Sequence, residues 1–188
     1  MRWDSLFDDL EAQFSAERAL EAESEITERS KIELAGIELG DRLRGAVGSV
    51  TKLFLADGNS IHGVLCRVGG EWLVLSEGSR QWLVPFAAVL TFQGLGRLAL
   101  KPVSTVRQLP GFASALRALA RDRSAVVIHL STRTGGGAKV NGVIDRVGRD
   151  HFDVAVVRDG EVRRAGNVAS VMTVPFSAVA ALCSTGGG

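Results

Sequence analysis

Two hydrophobic rhythms run along this chain, and they change near residue 48. Over residues 4–47 apolar side chains recur every three or four positions, first as Trp3, Leu6, Phe7, Leu10 and Phe14, then as Ile32, Leu34, Ile37, Leu39, Leu43 and Val47. That spacing predicts a helix with one apolar face. Gly36 and Gly40 each weaken a helix by about 1 kcal/mol relative to Ala, which marks 36–40 as a place for a break. Beyond residue 48 the rhythm shortens to two. Strands are predicted at 50–55, 61–68, 71–76, 81–84 and 89–92, with Asp57-Gly58 and Gly69-Gly70 at the turns. Pro85 belongs at a strand end, since it cannot donate to a ladder.

The strand pattern occurs twice. Gly63-Val64-Leu65-Cys66-Arg67-Val68-Gly69 returns as Gly142-Val143-Ile144-Asp145-Arg146-Val147-Gly148, and Val84-Pro85-Phe86-Ala87-Ala88-Val89 as Val174-Pro175-Phe176-Ser177-Ala178-Val179. Aligning the copies predicts inward positions at Leu53/Ile128, Leu65/Ile144, Leu73/Phe152, Leu75/Val154, Trp82/Met172, Val84/Val174 and Val89/Val179. A connector over 94–110 leads into a short helix at 111–123, with Phe112, Leu116 and Leu119 on one face and Arg117, Arg121 and Arg123 elsewhere. The expected fold is mainly β with an N-terminal α segment: a long helix, then two five-stranded small β-barrels, each preceded by a helix. The expected divisions are 1–47, 48–93, 94–124, 125–183 and a disordered tail at 184–188.

These residues resemble the Sm-like, or SH3-like, small β-barrel. The likeness is carried by Leu53-x-Leu55-x-Asp57-Gly58, then Gly63-x-Leu65-x-x-Val68, and in the second copy by Ile128-x-Leu130 and Gly142-x-Ile144-x-x-Val147. The resemblance implies bent five-stranded sheets and RNA as a partner class. Uridine binding of the Sm type is not carried over. The loop after strand two reads Val68-Gly69-Gly70-Glu71-Trp72 in one copy and Val147-Gly148-Arg149-Asp150-His151 in the other, and neither has the family's Asp and Asn. The opening Trp3, the acidic helix and Asp41-Arg42-Leu43-Arg44 also resemble an uncharacterised actinobacterial protein family.

Charge narrows the chemistry. Residues 1–45 carry twelve acids against six bases, whereas residues 97–188 carry thirteen bases against six acids. Arg133, Lys139, Arg146, Arg149, Arg158, Arg163 and Arg164 make up the candidate nucleic-acid-binding set, because phosphate contact needs clustered cations rather than a motif. No catalytic residue is assigned: a nucleophile elbow and a placed carboxylate pair are both missing. The three histidines and two cysteines lack metal spacing, and no cofactor is expected. The acidic start and the want of a long apolar run predict neither a signal peptide nor a membrane span, hence a cytoplasmic protein. The expected partners are RNA or DNA at the basic surface of a non-enzymatic module. The alternative is a protein–protein adaptor using the face of Trp3, Leu6, Phe7, Leu10 and Phe14 to bind another protein or to form a homodimer.

Overall fold

Inward and outward positions alternate along the first two strands and set the frame for the rest. Thr51, Leu53 and Leu55 are buried along β1 (Val50–Leu55), and Ile61, Gly63 and Leu65 along β2 (Ser60–Val68). The computed structural model describes Arg18 and residues 34–102, 109–131, 137–157 and 168–184. The β1–β2 turn is built by Asp57, whose carboxylate accepts the Asn59 backbone N–H at 2.9 Å and its Nδ2–H at 2.8 Å. Gly58 supplies the left-handed φ of +85° that this turn requires.

β3 (Trp72–Glu77), β4 (Arg80–Pro85) and β5 (Val89–Gln93) follow, with a single 3₁₀ turn, Phe86–Ala88, before β5. The second half repeats the series as β6 (Ala125–Leu130), β7 (Lys139–Val147), β8 (His151–Val157), β9 (Val168–Pro175), the turn Phe176–Ala178 and β10 (Val179–Ser184). The strands read from the first copy fall within a residue or two of these bounds. β2 and β7 each carry a bulge at the same repeat position, Cys66 and Asp145, where the register shifts. Such bulges increase local twist and bend the strand.

Gly63 and Gly142 open the same position of the two copies for a steric reason. A Cβ on Gly63 would lie 2.3 Å from the Ser76 carbonyl oxygen, and one on Gly142 would lie 2.5 Å from that of Ala155. The neighbouring strand approaches too closely for any side chain.

The expectation of two separate closed barrels is corrected by the pairing. All ten strands form one antiparallel open sheet in the order β5-β1-β2-β3-β4-β10-β6-β7-β8-β9. The halves join where β4 meets β10, with Leu83 opposite Leu182 and Trp82 opposite Cys183. Among the described residues β4 pairs with β3 and β10, so neither half closes on itself. Side chains cross the joint in both directions. Ala180 and Ala181 of β10 pack with Leu43, Leu53, Leu65, Leu73 and Val84 in the first core. Trp72 and Leu83 pack with Phe112, Ile128, Ile144, Phe152 and Leu182 in the second.

The long N-terminal helix is corrected as well. The chain divides into two compact units, Met1–Glu38 and Leu39–Gly188. In the first, Arg18 and residues 34–35 are helical, Gly36 turns, and residues 37–38 are not helical. In the second, α1 covers only Leu39–Gly45. The interruption falls where the helix-weakening Gly36 stands. The rest of the expected helix, with the whole face of Trp3, Leu6, Phe7, Leu10 and Phe14, lies outside the described residues.

The Asp41-Arg42-Leu43-Arg44 segment of α1 has a structural task. Leu43 is buried in the first core, while Arg42 donates to the Gly96 carbonyl at 3.0 Å and Arg44 to that of Leu100 at 3.0 Å. The Leu100 N–H donates back to the Asp41 carbonyl at 2.9 Å, and Asp41 pairs with Arg44. The motif thus pins the start of the connector.

At the seam, the His129 ring meets Trp82 edge-on at 5.1 Å between centroids. Burial, aided by the Lys139 charge and opposed by Asp57, pushes the His129 pKa below 6.5. Unfolded His129 takes up a proton near 6.5 while the folded ring resists it, so this residue's stabilising contribution is lost as pH falls through that value. The expected result is a melting temperature for wild type that drops more steeply than that of His129→Gln on acidification from pH 8 to about pH 5. Parallel profiles would refute it.

Candidate nucleic-acid interface

The described basic residues of the second half lie on its sheet, on the β7–β8 turn and on one docked helix with its C-cap. α2 (Phe112–Asp122) buries Phe112 and Leu116 against the second core, with Leu119 and Ala120 half-buried beside them. Its first turn lacks a capping side chain of its own. Glu71, from the β2–β3 turn of the first half, supplies one, accepting the Phe112 N–H at 3.0 Å. Trp72, the first residue of β3, donates its indole N–H to the Pro110 carbonyl at 2.8 Å, and the Gly70 N–H of the turn donates to that carbonyl at 3.1 Å. The helix ends at Arg123 in the left-handed conformation, φ 52°, whose N–H reaches the Ala120 and Leu119 carbonyls.

This docking presents Arg117 and Arg121, one turn apart, on the exposed side of α2. Together with Ser114, Ala120, Asp145 and Val147 they line an open cleft of about 450 Å³ between α2 and β7. Arg117 donates to the Gly148 carbonyl at 3.3 Å, at the β7–β8 turn, and exposed Arg149 follows directly in the chain. Arg146, also exposed, lies at this end of β7. Three acids temper the corner. Asp145 faces the cleft, Asp153 stands opposite Arg146 in the β7–β8 ladder, and Asp150 is held below the usual carboxylate range chiefly by a hydrogen bond from His151 Nδ1 at 2.8 Å.

Of the seven basic residues named from the sequence, Lys139, Arg146 and Arg149 are described. Arg133, Arg158, Arg163 and Arg164 lie outside the described residues. Lys139 opens β7 and pairs with His129, seven residues from Arg146. At a strand rise of about 3.3 Å that separates the two by about 23 Å, so Lys139 belongs to a different part of the surface. The pair that joins Arg149 instead comes from α2. Its signal was the non-apolar side of the 111–123 helix, which periodicity alone could not assign to a neighbour.

A second cleft, of about 470 Å³, lies at the seam between α2 and the outer face of β2–β4, and both Cys66 and Cys183 line it. Burial pushes the Cys183 thiol up. β3 and β4 stand between the strands that carry the two cysteines, a span of about 14 Å at the usual strand spacing and too far for a disulfide. Both are free thiols. His62, His129 and His151 sit on β2, β6 and β8, and no cluster of three His, Cys, Asp or Glu suited to a metal occurs among the described residues. No described helix is long and apolar enough to cross a membrane.

Compared with protein-family models and with curated proteins, the chain matches none.

Proposed function

We propose that the protein is a non-enzymatic, cytoplasmic, nucleic-acid-associated module that contacts the phosphates of single-stranded RNA at the corner formed by α2 and the β7–β8 turn. The observation that carries this reading is the convergence of Arg117 and Arg121 on an open cleft, with Arg117 reaching the carbonyl beside Arg149. Guanidinium groups are suited to phosphate because their planar fork donates two parallel hydrogen bonds. Four exposed arginines against Asp145, Asp150 and Asp153, the last opposite Arg146 in the ladder, leave the corner with a net charge of +1. No described exposed Phe or Trp lies on the cleft, so phosphate contact rather than base stacking dominates. Free Cys66 and Cys183 fit a reducing compartment. The adaptor alternative rests on Trp3, Leu6, Phe7, Leu10 and Phe14, outside the described residues.

Fluorescence anisotropy with a labelled single-stranded RNA tests the reading. Binding is expected to weaken steeply between about 50 and 200 mM salt. Changing Arg117 and Arg121 together to Ala removes two phosphate contacts and lowers the slope of log K against log salt by about 1.4. Both arginines are exposed, so the fold is unaffected. No binding at low salt, or an unchanged slope in the double variant, would overturn the proposal. A duplex DNA of equal length, run in parallel, separates RNA selectivity from binding to any polyanion.

A further inference from the structure

The cleft at the seam is a slot with opposite charges at its two ends. Arg67 stands opposite Val74, Val74 opposite Leu83, and Leu83 opposite Leu182, so the four share one face of the sheet in a row from β2 to β10. Val74, Leu83 and Leu182 floor the slot, and Ala115, Ala118 and Leu119 of α2 wall it. The two alanines are too small to close the gap between helix and sheet. About 470 Å³ is left open where protein interiors are ordinarily filled, a size within the usual range for small-molecule sites. We infer that this slot binds a short apolar peptide with free ends, its carboxylate on Arg67 and its ammonium group on Asp122.

The two end charges are available because they do not reach each other. Arg67 is exposed at the β2 end and makes no ion pair among the described residues. Asp122 is the last residue of α2, exposed at the other end, where it accepts the hydroxyl of Ser124 just ahead of β6. The carbonyl end of α2 carries the negative end of the helix dipole and adds to the attraction of a cation there. Two strands, β3 and β4, lie between β2 and β10, which sets the ends about 14 Å apart. An extended tripeptide covers about 10 Å, and the long side chain of Arg67 spans the remainder. Its planar guanidinium takes a carboxylate through two parallel hydrogen bonds.

Polar groups between the ends match a peptide backbone. Gln81 and Ser184 lie in the next row of the same sheet face and both line the slot. The Gln81 side chain offers both a donor and an acceptor. Ser184 Oγ accepts the Gln81 backbone N–H at 2.9 Å and keeps its hydroxyl proton to donate. A fatty acid would bring its carboxylate to Arg67 but lay a bare chain over Gln81, Ser184 and Asp122, stripping their water without replacing it. A peptide satisfies all three while its side chains cover Val74 and Leu119.

Isothermal titration of the full chain with Leu-Ala-Leu, with its N-acetyl form and with its C-terminal amide tests the inference. The free peptide is expected to bind one to one, and each blocked form about fivefold more weakly, the upper value for one ion pair near the surface. Arg67→Gln is expected to weaken the free peptide by the same factor and to cost the amide nothing further. Asp122→Asn stands in the same relation to the acetylated peptide. Both positions are exposed, so circular dichroism spectra are expected to be unchanged. Ala118→Trp, at an exposed position of α2 that lines the slot, fills it and is expected to abolish binding. The exposed thiol of Cys66 lines the slot too, and its alkylation by iodoacetamide is expected to slow when the peptide is bound. No binding at millimolar peptide overturns the inference. So do blocked peptides that bind as tightly as the free one, or octanoate that binds more tightly than the tripeptide. Arg117 and Arg121 line the separate cleft beside β7, so the outcome here is independent of the RNA titration.

Discussion

Replacing Phe152 with Ala is expected to lower the unfolding free energy by about 3–5 kcal/mol, the largest effect expected of any single side-chain truncation among the described residues. Phe152 heads the fully buried side chains by volume and lies at the centre of the second core, with Ile128, Ile144, Val154 and Val174 around it. Its ring stands 6.2 Å from that of Phe176, which in turn meets Phe112 of α2 edge-on at 5.4 Å. The truncation therefore removes contacts that tie the sheet to the helix as well as filling within the sheet. Neighbouring β-strand backbone cannot collapse into the space without breaking the pairing of Phe152 with Val147 and Val174. Urea denaturation checks the value. A loss under 1 kcal/mol would mean that the core around Phe152 is not packed as described.

The second large effect concerns a residue with no side chain. Gly63→Ala is expected to cost about 3 kcal/mol or more, the upper part of the range for forcing atoms into a packed site. The added methyl would lie 2.3 Å from the Ser76 carbonyl oxygen and 2.9 Å from its carbon, both backbone atoms of a paired strand. No rotamer change can relieve such a contact, so β2 and β3 must part locally. Gly96→Ala is the control: its nearest neighbour would be the Leu98 nitrogen at 4.0 Å, and its expected cost is within about 0.5 kcal/mol. Equal costs at the two positions would show that the close strand approach is not what selects glycine at residue 63.

The strands and most of their inward residues were legible because period-2 alternation records which face is wet, and two copies of one pattern check each other. Leu53 with Ile128, Leu73 with Phe152 and Val84 with Val174 are all buried as aligned. Trp82 and Met172 show where that logic ends. Aligned as an inward pair, Trp82 is half-buried at the joint while Met172 is exposed at an outer edge. Alternation records the faces of a strand and is silent about its edges, so the choice between two closed sheets and one continuous sheet left no mark in the pattern. The same limit applies to the basic corner. The sequence placed Arg117 and Arg121 away from the apolar face of α2, but their approach to the β7–β8 turn follows from docking that Glu71 and Trp72 help to fix across the halves. The helical rhythm of residues 4–47 carried Gly36 as its weak point, and the helix is interrupted there.

Each core of this sheet borrows from the other repeat: Ala180 and Ala181 complete the first, Trp72 and Leu83 the second. The segment that recurs in the sequence is thus shorter than the segment that can stand alone. Heredity and cooperativity draw their boundaries in different places here, and a fragment cut at the repeat boundary would inherit a pattern without a finished interior.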